Sequence, residues 1–175
     1  MTRQSLLFAI LATTMGCGVD DYIDYLTPYV FYETKEIKQL VGKFESDHLK
    51  YTDRNIEIKN LDIRIDHLNT QLGEAAHHRT RLDPQSSKDL KLAEDIRLGI
   101  CISAPFATPR IVLNKRFWSK LNSTYKRQLI YHELGHCILQ LDHSKDGLMQ
   151  PYIIYHKRFK KYEEYYLDKF FSHGE

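Results

Sequence analysis

The chain is poor in the residues that announce a specialised class. Three cysteines in 175 residues are too few for a disulfide-stapled scaffold. Five prolines and eight glycines exclude a collagen-like or glycine-rich disordered chain. An excess of one charge is also missing. The 25 Lys+Arg against 23 Asp+Glu leave a formal +2, without the concentrated basic face of a nucleic-acid-binding domain. There is no internal repeat and no low-complexity tract. No apolar run approaches the roughly 20 residues of a membrane-spanning helix. What is present is 42% hydrophobic and 27% charged residues, with twelve Tyr and eight Phe. That is the make-up of one soluble, globular domain with an aromatic-rich core.

Behind Arg3, Leu6 to Ala12 form a short apolar stretch ending in Thr14-Met15-Gly16-Cys17. A basic start, a short apolar stretch and small residues before a cut site make a secretory signal. This segment resembles a bacterial lipoprotein signal, in which a small residue precedes the Cys that receives lipid. Thr14 stands where Leu is usual. The resemblance implies that residues 1–16 are a signal peptide and that Cys17 is lipidated. The acidic and aromatic residues 17–30 then tether a domain at 31–175. The protein is expected to be exported to the cell envelope, facing the periplasm or the surface, with membrane contact through that anchor only. The alternative is an ordinary cleaved signal with an incidental Cys. With Cys17 lipidated, Cys101 and Cys137 remain as a pair in an oxidising compartment. They either bridge or act as two small buried hydrophobes; the sequence does not choose.

Apolar residues at Ile37, Leu40, Val41, Phe44 and Leu49 recur at the helical period and predict a helix over 33–49. The alternation from Ile56 to Ile65 predicts one or two strands over 55–66. The polar stretch 67–89, with Asp83-Pro84 and Ser86-Ser87, reads as a surface loop. Residues 97–103 (RLGICIS) and 110–114 (RIVLN) are short strand-like runs. The strongest helix spans 122–140, with Asn122 or Ser123 able to cap its start. Ile130, Leu134, Cys137 and Leu141 form a core-seeking stripe. His132 and His136 share another face with Leu129 and Gln140, expected to present polar chemistry. A last helix over 158–171 places Phe159, Tyr162, Tyr166 and Phe170 on its apolar side.

Residues 132–136 read His-Glu-Leu-Gly-His, the HExxH pattern. Positions i and i+4 of a helix project from one face, so two imidazoles can reach one Zn²⁺. Glu133, one residue on, stands beside such a metal and can accept a proton from a metal-activated water. The plain alternative is two solvated helix histidines. The apolar Leu129-Ile130 before the motif, and the His, Met and Pro after it, favour the metal.

His132-Glu-Leu-Gly-His-Cys137, then Leu141-Asp-His-Ser144, then Leu148-Met-Gln-Pro151 resembles the metzincin zinc proteases. A closer resemblance is to zinc-dependent metallopeptidases of bacterial lipoprotein type, from about Leu98 to Phe171. Those proteins share the Arg-Ile-Val-Leu-Asn strand, a Trp like Trp118, the HELGHC helix and a Met-x-Pro-Tyr segment. The resemblance implies a small α+β, metzincin-like domain. In it a mixed twisted sheet lies over an active-site helix carrying HExxH and a C-terminal helix. It also implies a bound Zn²⁺, peptide-bond hydrolysis, Met149 packed beneath the metal, and a substrate strand paired with an edge at Ile111 to Asn114.

Two positions depart from the family pattern. Leu139 occupies the place of the Gly that ends the family's helix in a left-handed turn. The usual third-ligand position, ten after the first His, holds Asp142, with His143 one later. Aligning on Leu-Asp-His-Ser favours His143 and adds one turn residue, while Asp142 stays the alternative. Tyr152 is either an oxyanion donor or a core aromatic. Glu163 and Glu164 read as solvated charges rather than ligands, and Lys157–Lys161 as a solvated helix start. His77-His78 reads as solvent-facing. The sequence therefore predicts a zinc endopeptidase acting on peptide or protein substrates. His132, His136 and His143 hold the metal, and Glu133 is the general base. The rival is a non-catalytic, zinc-stabilised surface lipoprotein or protein-binding module, in which Asp142 or Cys137 completes a closed site.

Overall fold

The computed structural model describes residues 29–68, 80–82 and 97–172. Cys17, the signal-type segment and His77-His78 lie outside them, and Val30 of the expected tether already belongs to a strand.

In chain order the elements are β1 (Val30–Tyr32), α1 (Lys35–Thr52), β2 (Leu61–Asp66), β3 (Arg81–Leu82), β4 (Gly99–Ile102) and β5 (Arg110–Asn114). They continue with α2 (Lys115–Trp118), α3 (Ser123–Cys137), β6 (Tyr152–Ile153), α4 (His156–Lys161) and α5 (Glu163–Ser172). The fold is α+β. Its main sheet is mixed, ordered β1-β2-β5-β4. β1, β2 and β5 run parallel, and β4 lies antiparallel to β5. β3 and β6 form a separate parallel pair.

Side-chain caps set the helix starts. The Thr34 hydroxyl accepts from the Ile37 amide at 3.2 Å, and the Asn122 carboxamide accepts from the Tyr125 amide at 3.0 Å. Each satisfies a first-turn donor that the helix cannot bond itself. α3 packs on β4 and β5 and is flanked by α1, which in turn packs against α5. Tyr131 anchors that junction. Its ring meets Phe44 edge-on at 5.2 Å, and its hydroxyl donates to Asp47 Oδ2 at 2.7 Å. Burial and the Asp47 carboxylate both push the Tyr131 phenol upward, so it stays protonated and keeps donating. Asp62, 2% exposed, is held across two strands by the Nε–H groups of Arg64 and Arg110, each at 2.9 Å. A buried carboxylate persists when it is paired in this way.

The open question about the cysteines is answered by a disulfide between Cys101 and Cys137. It ties β4 to the last residue of α3 and closes a loop of separation 36. By chain entropy alone such a closure contributes about 4 kcal/mol.

Several expectations need correction. The helical run 122–140 is α3 at Ser123–Cys137, and both of its faces are buried from Gln128 to Cys137, not only the apolar stripe. The polar face is covered because β4 and the chain after the helix close over it. The C-terminal helix is two helices, broken at Tyr162, whose ring is 47% exposed instead of packed inward. The alternating run 55–66 does hold one strand, β2, as one of the two expected outcomes, but it starts only at Leu61. Part of the expected surface loop is the strand β3, preceded by a fully buried Thr80. Finally, β5 is paired on both sides, so Ile111 to Asn114 offer no edge. The edge beside α3 is β4.

Candidate metal centre

His132 and His136 leave α3 one turn apart and converge, with Nε2 atoms 3.0 Å apart. His143 comes from the chain beyond the helix, its Nε2 3.2 Å from that of His132. One ligand nitrogen from each residue lies within 4.8 Å of the others, close enough for a single metal ion. Four-coordinate binding at about 2.0–2.1 Å puts neighbouring nitrogens roughly 3.3 Å apart, near the spacing seen.

The supports of the rings explain why Nε2 is the atom presented. His132 Nδ1 lies 2.7 Å from the Leu148 carbonyl, and His136 Nδ1 lies 2.6 Å from the Leu141 carbonyl. A carbonyl only accepts, so each Nδ1 carries the proton, and in the neutral ring Nε2 then bears the lone pair turned toward the other histidines. Two such neutral rings facing each other at 3.0 Å repel unless a proton or a metal cation lies between them. The donor set therefore fits a metal. Imidazole nitrogens suit zinc, copper, iron and nickel alike, and the geometry does not separate them.

Each support is built by a local turn. After α3 the chain reverses through Gln140 at φ 54, and the Leu141 amide reaches the Gly135 carbonyl at 2.9 Å. The helix therefore ends in a left-handed residue at Gln140, which carries a Cβ, and not at Leu139. Beyond this turn His143 reaches the pair. Asp142 is exposed and outside the cluster. Met149 packs under the motif: a Cβ on Gly135 would lie 2.5 Å from its Sδ. Glycine at 135 thus permits the close approach that carries the Leu148 carbonyl up to His132.

Glu133 projects about 100° round the helix from His132, toward β4. It is fully buried, with Oε1 accepting from the Thr80 hydroxyl at 2.7 Å and the Cys101 amide donating to the carboxylate. Gly99 makes room, since a Cβ there would lie 2.7 Å from Oε1. Among the described residues, Oε2 has no hydrogen-bond partner. Desolvation pushes the carboxyl up to about 8, against the opposing effects of the two donors.

The remaining candidates separate cleanly. Tyr152 stands on β6 and is 41% exposed, so it is not a core aromatic. Glu163 pairs with Arg127 at 2.6 Å, and the Glu164 side chain is 89% exposed, both away from the histidines. Lys157, Arg158, Lys160 and Lys161 are exposed on α4. Cys137 cannot complete a closed metal site, because its sulfur is bound to Cys101. Thr80 and Gly99 escaped the sequence reading. A lone Thr in a polar stretch and a Gly in a short strand carry no signal by themselves. No family model matches this chain, and no curated protein or solved structure does either.

Proposed function

We propose that the chain is a zinc-dependent endopeptidase of metzincin type. One observation carries the reading. Three imidazole Nε2 atoms converge at 3.0 and 3.2 Å, two of them from the helix that also carries a buried carboxylate with one oxygen unpartnered among the described residues. His132, His136 and His143 would hold Zn²⁺, which when bound supplies a Lewis acid for the scissile carbonyl and acidifies water. The rest falls to the protein. The Leu148 and Leu141 carbonyls lock the His132 and His136 tautomers. Glu133 takes the proton of the attacking water on its carboxylate and delivers a proton to the departing amine, whose C–N bond breaks. The exposed Tyr152 is the candidate donor to the developing oxyanion. An extended substrate adding to the sheet has β4 as its neighbour, beyond Gly99, which Thr80 already bridges.

Among the described residues no fourth protein ligand joins the three His, which favours an open, catalytic site over a closed structural one. The purified protein is expected to carry one zinc per chain and to cleave an unstructured protein such as casein. A chelator should abolish cleavage and added Zn²⁺ should restore it. A zinc-loaded protein that cleaves neither casein nor a peptide library would instead favour the non-catalytic surface protein.

The location belongs to the same proposal. The disulfide suits an oxidising compartment, and Cys17 supplies the lipid anchor there. The protein should partition into the detergent phase, and Cys17→Ser should release it. A wild-type protein found entirely in the aqueous phase would sink the anchor.

A further inference from the structure

We propose that Thr80 is a positioning residue for Glu133, fixing one carboxylate oxygen so that the other stays aimed for proton transfer. The inference deepens the protease reading and rests on it. Thr80 is fully buried, bridges Gly99 of β4, and accepts the Leu98 amide on its own carbonyl at 2.9 Å. It is thus fixed to the sheet, and its hydroxyl donates to Glu133 Oε1 at 2.7 Å. The Cys101 amide adds a second donor from the same strand. Gly99 completes the cradle, because any Cβ there would occupy the space of Oε1. Cys101 is itself tied to Cys137 at the end of α3, so strand and helix cannot drift apart.

A buried carboxylate with a purely structural task satisfies both oxygens. Glu133 takes the Thr80 hydroxyl on Oε1, while among the described residues Oε2 is buried without a hydrogen-bond partner. Such one-sided satisfaction suits a group whose second oxygen meets the substrate. The terminal carboxylate torsion is broad and roughly two-fold, so the side chain does not hold this orientation unaided. The Thr80 hydroxyl supplies what the torsion lacks.

Thr80→Val keeps the shape and removes the donor. In the zinc-loaded protein it should lower kcat roughly 10–100-fold, in line with the cost of a small misplacement. KM and zinc content should stay near wild type. Thr80→Ser, which restores the hydroxyl, should recover most of kcat. NMR supplies a reading independent of turnover: the Cys101 amide and Glu133 carboxyl resonances should move in Thr80→Val and return in Thr80→Ser. If Thr80→Val fails to fold, Thr80→Ala removes the same donor with less crowding and is measured in the same way. Wild-type kcat in a folded variant lacking the hydroxyl would overturn the positioning role and leave the protease reading intact. If the wild-type protein holds zinc but cleaves nothing, the protease reading fails, and unmoved resonances would then dispose of the Thr80 contact as well.

Discussion

His143→Ala is expected to strip the metal and abolish turnover, while Asp142→Ala keeps both. Two ligands on one helix turn define a line, not a site, and the third must come from the chain that follows. The structure sends His143 to the pair, with its Nε2 3.2 Å from that of His132, and leaves Asp142 exposed. Neighbouring residues of a turn point apart, so only one of the two reaches the metal. An imidazole is also neutral. Three of them leave the full charge on the cation and acidify a water more than an Asp-containing set would. Removing a true ligand should therefore weaken zinc binding well beyond the 10–100-fold typical of an outer partner. Asp142→Ala should fall within or below that range. Zinc titration against a chromophoric chelator measures both. If Asp142→Ala loses zinc while His143→Ala retains it, the ligand set is wrong.

Glu133→Gln should keep zinc and lower kcat by about 10²–10⁴, the usual contribution of a general base. Gln fits the same space and can still face Thr80, but it takes up no proton. Unchanged cleavage by the variant would refute the role, and loss of zinc would make Glu133 a ligand. The same variant separates the cost of burial from catalysis. In the metal-free protein, burial raises the Glu133 carboxyl from an ordinary 4.5 to about 8. Between those values the folded state holds a proton that the unfolded chain has released. Stability then falls as pH rises through that window. Glu133→Gln cannot ionise, so its metal-free form should lack this decline in denaturant titrations run from pH 4.5 to 8. A bound dication opposes the upward shift, so the contrast should shrink in the zinc-loaded protein.

Short-range patterns carried the sequence reading as far as they extend. The i, i+4 spacing of His132 and His136 needs only a helix, and a capped helix formed there. Likewise β5 lies where Arg110 to Asn114 predicts it, because a run of Ile, Val and Leu suits a buried strand. The failures share a cause in non-local contact. Whether β5 is central or an edge depends on whether β2, far off in sequence, pairs with it on the side away from nearby β4, and that pairing leaves no mark on its residues. Tyr162 fits the helical period, but the break between α4 and α5 turns it outward.

By itself, then, the sequence determined the candidate metal helix, its neighbouring strand and the small set of residues able to supply a third ligand. These follow from spacing within a few residues, where backbone geometry is fixed. Tertiary structure decided the rest. It brought His143 and not Asp142 to the histidine pair, after the left-handed turn at Gln140, and it joined Cys101 to Cys137. It also set Thr80, 53 residues away in sequence, against Glu133. The physical reason is that a hydrogen bond or disulfide across such distances depends on how the intervening chain packs, and no local pattern encodes that path.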